Sequence, residues 1–250
     1  MEKNNLPEGL TLLKDVNFRT IYHQFLYIHC RNVLEEVFPE DITAGDTGLL
    51  VYSYIDENAG ITFKPLAVAA FKDGIPAETG KPAGIENCLL RYHGSFVKNE
   101  FPMEDGGVFT LATIPAGECS FLNLVSTDID LDQYAEVEED IRRNYDLNKD
   151  PLKEMMRSKK YSYLDRFRSP YSPDDVMVIF FGENVKPESV WVRCSFEAEA
   201  EKELYGMLLT EPKSFPKFKR GMVIGFTPYG EGDDMLLVAT GHTSTIFTQE

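Results

Sequence analysis

Apolar positions in the first forty residues fall at Phe18, Ile21, Tyr22, Phe25, Leu26, His29, Val33 and Leu34. This i, i+3, i+4, i+7 rhythm predicts an amphipathic helix over 15–38, capped by Asp15 and stopped at Phe38 by Pro39. Phe25 and Leu26 are expected to face a sheet, with Arg31 and Glu35 in water. Strand-like runs follow at 47–55, 61–71, 88–92, 108–113 and 120–126, separated by turn clusters such as 57–60 and 105–107. Residues 72–86, with Gly74, Gly80, Gly84, Pro76 and Pro82, read as a patternless loop. A second stripe, Leu131, Tyr134, Val137, Ile141 and Tyr145, predicts a helix whose other faces are acidic. Asp150 before Pro151 predicts the start of another short helix. After a Pro/Ser/Asp-rich stretch at 168–175, only short strands are expected, at 176–181, 190–196, 203–209, 222–227 and 235–240. The pattern therefore predicts an α+β chain. An N-terminal domain over 1–170 packs helices on an antiparallel sheet, and a small β-rich, barrel-like domain fills 171–250.

Charge narrows the choice of partner. The 250 residues hold 41 acidic and 25 basic side chains, for a net charge of −16. Such a surface repels nucleic acid and anionic membranes. The first ten residues lack the basic and apolar regions of a signal peptide, and no apolar run is long enough to span a bilayer. Cys30, Cys88, Cys119 and Cys194 are scattered, without a CxxC pair, as expected of reduced thiols in a cytoplasmic protein.

Several motifs fall short of the chemistry they resemble. Gly74 to Lys81 spaces its glycines by five residues and continues into Pro82, so it lacks the spacing and the hydroxyl of a phosphate-binding loop. Asp128, Asp130 and Asp132 begin like a calcium loop, but Gln133 occupies the position that needs glycine. His23 and His29 stand six apart, on different faces of the expected helix, and no HExxH or CxxC completes a metal site. Neither a metal nor another cofactor is expected. No GxSxG nucleophile turn occurs. Basic clusters at 153–168 and 213–220 read as balancing charge against the acidic helix.

The last third carries more specific text. Val190-Trp191-Val192-Arg193 precedes Tyr205-Gly206-Met207-Leu208-Leu209-Thr210-Glu211-Pro212. Phe218-Lys219-Arg220-Gly221 and an apolar strand at 222–226 follow. This succession, over about 185–240, resembles a group of small bacterial domains of unknown function with the pattern W-V-x-V, G-x-L-x-N-x-P, then a basic residue, Gly and Asp. Met222 stands where the group has Asp, Thr210 where it has Asn, and the tail lacks its D-W ending. Some members sit in toxin-immunity loci, so the resemblance implies an immunity-like role. In physical terms, Gly206 admits a close backbone approach, Gly221 makes a turn, and Trp191 is expected in the core of the sheet.

The expected function is a non-enzymatic, cytosolic bacterial binding protein that masks a basic protein partner. The binding residues are the carboxylates Glu136, Glu138, Glu139 and Asp140 of the acidic helix. The alternative is a hydrolase with a site assembled from separated residues such as Cys30, His93 and Asp or Glu neighbours.

Overall fold

The computed structural model describes residues 6–56, 58–145, 161–198 and 203–243. The helix expected from Asp150, the basic residues 153–160 and the tail from 244 lie outside them. The chain divides into two compact units, Met1–Asp146 and Leu147–Glu250. Residues 161–174 therefore belong with the second.

The first unit is built on a mixed sheet rather than on packed helices, which corrects the α+β expectation: the protein is mostly β. In chain order its elements are β1 (Thr11–Leu12), α1 (Phe18–Ile21), β2 (Gln24–His29), α2 (Arg31–Val37), β3 (Gly48–Asp56), β4 (Gly60–Lys72) and β5 (Ile75–Gly80). There follow β6 (Cys88–His93), β7 (Lys98–Pro102), β8 (Val108–Pro115), β9 (Ser120–Asn123) and α3 (Ala135–Tyr145). The sheet order is β1-β9-β2-β3-β4-β6-β8-β7, with β5 paired to β4. Neighbours run antiparallel except β6 and β8, which are parallel.

The helix expected over 15–38 is thus two short helices with a central strand between them. Asn17 caps α1 by accepting the Arg19 N–H, and His23, at φ 53°, breaks the chain before β2. Cys30 breaks it again as the N-cap of α2, which ends at Val37 ahead of Pro39. Phe25 to Ile28 are all buried, because β2 lies inside the sheet with both faces covered. Phe25 and Tyr27 join a core with Tyr52, Tyr54, Leu50 and Ile141. Leu26 and Ile28 alternate to the opposite face. Such an unbroken apolar run suits a buried strand, and over so few residues it is indistinguishable from helical spacing.

The patternless loop is also structured. Asp73 (φ 52°) and Gly74 (φ 83°) form a two-residue hairpin turn that places Lys72 opposite Ile75 and lays β5 along β4. Left-handed backbone at both central positions, filled by Asp-Gly, is what a tight hairpin between right-twisted strands requires.

The second unit is a closed barrel of β10 (Asp175–Gly182), β11 (Val185–Ala198), β12 (Glu203–Leu208), β13 (Val223–Tyr229) and β14 (Leu236–Thr243). In a meander of five strands the first and last point the same way. The closing pair is accordingly parallel, with Ile179 opposite Val238. Alternation directs Val176, Val178 and Phe180, then Val190, Val192 and Cys194, into the barrel core, and Leu164 and Phe218 from outside the strands join it. Trp191 follows the other parity. It is half-buried on the outer face opposite Met177, so its expected place in the core is corrected. Gly206 sits where a Cβ would come 2.4 Å from the Arg193 carbonyl oxygen, so only glycine fits. The Pro/Ser/Asp stretch is an ordered corner. Ser169 Oγ accepts the N–H groups of Tyr171 and Ser172, the Arg168 guanidinium holds Asp165 and the Pro173 carbonyl, and Pro173 to Asp175 are buried.

Candidate functional site

The acidic face stands on α3. Tyr134 and Ile141 are buried against the sheet, and Leu131, Val137 and Tyr145 pack beside them, with the Tyr145 ring 4.6 Å from that of Tyr54. The expected stripe is therefore the seated face of the helix. Its start is pinned by Tyr134, whose hydroxyl donates to Glu78 of β5 at 2.7 Å while Lys81 lies over its ring. Acids in the first turn and Arg142 and Arg143 in the last complement the helix dipole.

The four expected binding carboxylates are not equivalent. Glu136, Glu139 and Asp140 are exposed, and with Asp128, Asp130 and Asp132 they make six exposed carboxylates in thirteen residues. Glu139 and Asp140 share Arg143 at 2.8 and 3.0 Å, yet their side chains remain 74% and 65% accessible. Such exposed pairs are worth little. Glu138 is instead turned inward. It accepts from Arg142 at 2.8 Å and from the Tyr52 hydroxyl at 3.4 Å, and Tyr52 in turn meets His23 Nδ1 at 3.0 Å. Burial raises the Tyr52 phenol above its usual range, so it stays neutral. Glu138 anchors the helix, whereas the other three face outward. The alternating aspartates make a turn rather than a cation loop, since Asp130 accepts the Asp132 N–H.

A cleft of about 190 Å³ opens elsewhere on this unit, where the end of β2, the start of α2 and the turn before β9 meet. Its walls include His29, Cys30, Asn32, Pro115, Glu118 and Cys119. Burial lowers the His29 pKa, so the imidazole is neutral near pH 7, with Nδ1 on the Tyr27 hydroxyl at 2.9 Å. Both thiols are buried. Burial pushes the Cys119 thiol up to about 12 and raises Cys30 well above its usual value.

Cys30 and His93, named for the alternative hydrolase, each make a local contact. The Cys30 thiol donates to the Ile28 carbonyl at 3.4 Å, and burial raises its pKa well above the usual value, leaving little of the more reactive thiolate. His93 is exposed, with Nδ1 3.5 Å from Ser95 Oγ, two residues along the chain. Among the described residues, no group of three or more His, Cys, Asp or Glu side chains could hold a metal ion. None of their helices is long and apolar enough to cross a membrane. The Cys30–Cys119 neighbourhood escaped sequence reading because it depends on the pairing of β2 with β9. The signal that could have found it was the strand character of 24–29. No protein-family pattern, curated protein or solved structure matches the chain.

Proposed function

We infer that the protein is a non-enzymatic, cytosolic bacterial binding protein, immunity-like in role. It would dock a basic protein partner on the surface formed by Asp128, Asp130, Asp132, Glu136, Glu139 and Asp140. One observation carries this reading: six exposed carboxylates are displayed by a segment whose apolar stripe is locked to a sheet. A negative surface held rigidly accelerates encounter with a positive one and costs little ordering on binding. The net charge of −16 adds a long-range field of the same sign.

The test uses the full chain as immobilised bait against extracts of its host, alongside the variant Glu136→Lys/Glu139→Lys/Asp140→Lys. A basic protein held at low salt, released by high salt and lost from the variant is the expected result. Equal capture by the two baits would overturn the reading.

A further inference from the structure

We propose that Cys30 and Cys119 form an oxidation site: a cross-strand dithiol that closes to a disulfide when a small oxidant enters the cleft they line. Strands β2 and β9 pair with Ile28 opposite Phe121 and His29 opposite Ser120. One step further, Cys30 stands opposite Cys119. The backbone of this pair is engaged elsewhere. Cys30 N–H donates to Thr47 O, Cys119 N–H donates to Pro115 O, and Cys119 O accepts from Leu13 N–H. The Cys30 carbonyl accepts from Val33 and Leu34. This is the arrangement of a non-hydrogen-bonded antiparallel pair, in which the Cα atoms lie about 4.5 Å apart. A disulfide spans Cα separations of about 4.4–6.8 Å. Residues directly opposite one another share a face of the sheet, and both cysteines border the same cleft. Cys119 also lies close enough to act on the titration of Cys30.

The chemistry balances with hydrogen peroxide as the oxidant. The Cys119 sulfur attacks one peroxide oxygen, the O–O bond breaks, and the thiol proton passes to the departing oxygen, giving a sulfenic acid and water. The Cys30 sulfur then attacks the Cys119 sulfur, the S–O bond breaks, and the hydroxyl leaves as water with the Cys30 proton. Two thiols are oxidised and one peroxide is reduced to two waters. The product ties the N-cap of α2 to the turn before β9. Because burial keeps both thiols protonated, closure answers to sustained rather than brief oxidant.

Peptide mapping tests this directly, because trypsin places the four cysteines on four peptides: 20–31, 73–91 (Lys81 is shielded by Pro82), 99–142 and 194–202. The folded full-length protein is treated with hydrogen peroxide, unfolded, alkylated and digested. The expected product is peptide 20–31 joined to 99–142, with an intact-mass loss of about 2 Da, reversed by dithiothreitol. Cys30→Ala or Cys119→Ala should each abolish that product, while mapping of the unsubstituted chain stands even if a variant fails to fold. Four thiols still open to alkylation, a bridge to Cys88 or Cys194, a bridge between chains, or oxygen uptake without a bridge would each overturn the proposal.

Discussion

Trp191 and Phe226 differ by strand parity, and parity decides what each contributes. Phe226 is fully buried in the barrel core, whereas Trp191 lies half-covered outside it. Phe226→Ala is expected to cost about 3–5 kcal/mol, as large-to-small core changes do. Trp191→Ala should cost clearly less, and urea midpoints of the two variants would check the order. A tryptophan attracts a core assignment because it is large and apolar. The valines and cysteine flanking it, at 190, 192 and 194, carried the truer signal by their alternation. At His29 the environment sets a pH dependence. Burial holds its folded pKa below the unfolded value of about 6.5. As pH falls through that window, the unfolded chain takes up a proton that the folded one resists, so stability declines toward acid. His29→Gln should lose that component, so the stability difference between the parent and this variant should shift against the parent from pH 7.5 to 5.5. A constant difference across the range would refute the assignment.

Among the elements, α3 was legible and β2 was not, for one physical reason. A helix that lays one stripe on a sheet and turns its other faces to water writes a clear 3.6-residue period, as Leu131 to Tyr145 do. A strand buried on both faces writes no period at all, and Phe25 to Ile28 borrowed a helical one from the short helices on either side. The β5 hairpin was overlooked although Asp73-Gly74 is a strong turn signal, because the strand beyond it is mostly exposed and carries no apolar alternation. That omission matters to the candidate site, since β5 supplies the Glu78 that pins Tyr134 at the start of the acidic helix. The structure also sorts the four carboxylates named from sequence. Reversal of Glu136 and Glu139 to lysine removes one exposed ion pair with Arg143, so stability should change by no more than about 0.5 kcal/mol. Association with a basic partner should nonetheless slow markedly at low salt. The difference should fade as the Debye length contracts from about 10 Å at 0.1 M to about 3 Å at 1 M. Glu138→Lys is a different experiment, because it breaks the contact with Arg142 and Tyr52. It should lower the thermal midpoint whether or not a partner is present.

At the scale of the molecule, each of the two compact units has a buried core of its own. One joins Phe25, Tyr27, Leu50 and Tyr52 beneath α3. The other fills the barrel with Val176, Val192, Leu204 and Phe226. A five-strand meander that closes on itself leaves no sheet edge to be satisfied from outside, and its described core runs from Leu164 to Leu237, with Tyr161 and Ala239 packed against it. Separate cores imply separate cooperative units, so a single two-state description should fail for the whole chain. The single tryptophan makes this measurable, because Trp191 lies in the barrel and its emission reports that unit alone. Leu50→Ala empties a fully buried site in the first unit and should cost about 2–5 kcal/mol there. In a urea titration it should move the far-ultraviolet circular dichroism transition to lower denaturant and leave the Trp191 transition where it was. Phe226→Ala should move the Trp191 transition and spare the remainder of the dichroism change. Additivity is expected of sites with no shared partners. Coincident movement of both signals in either variant would show that the two cores unfold as one.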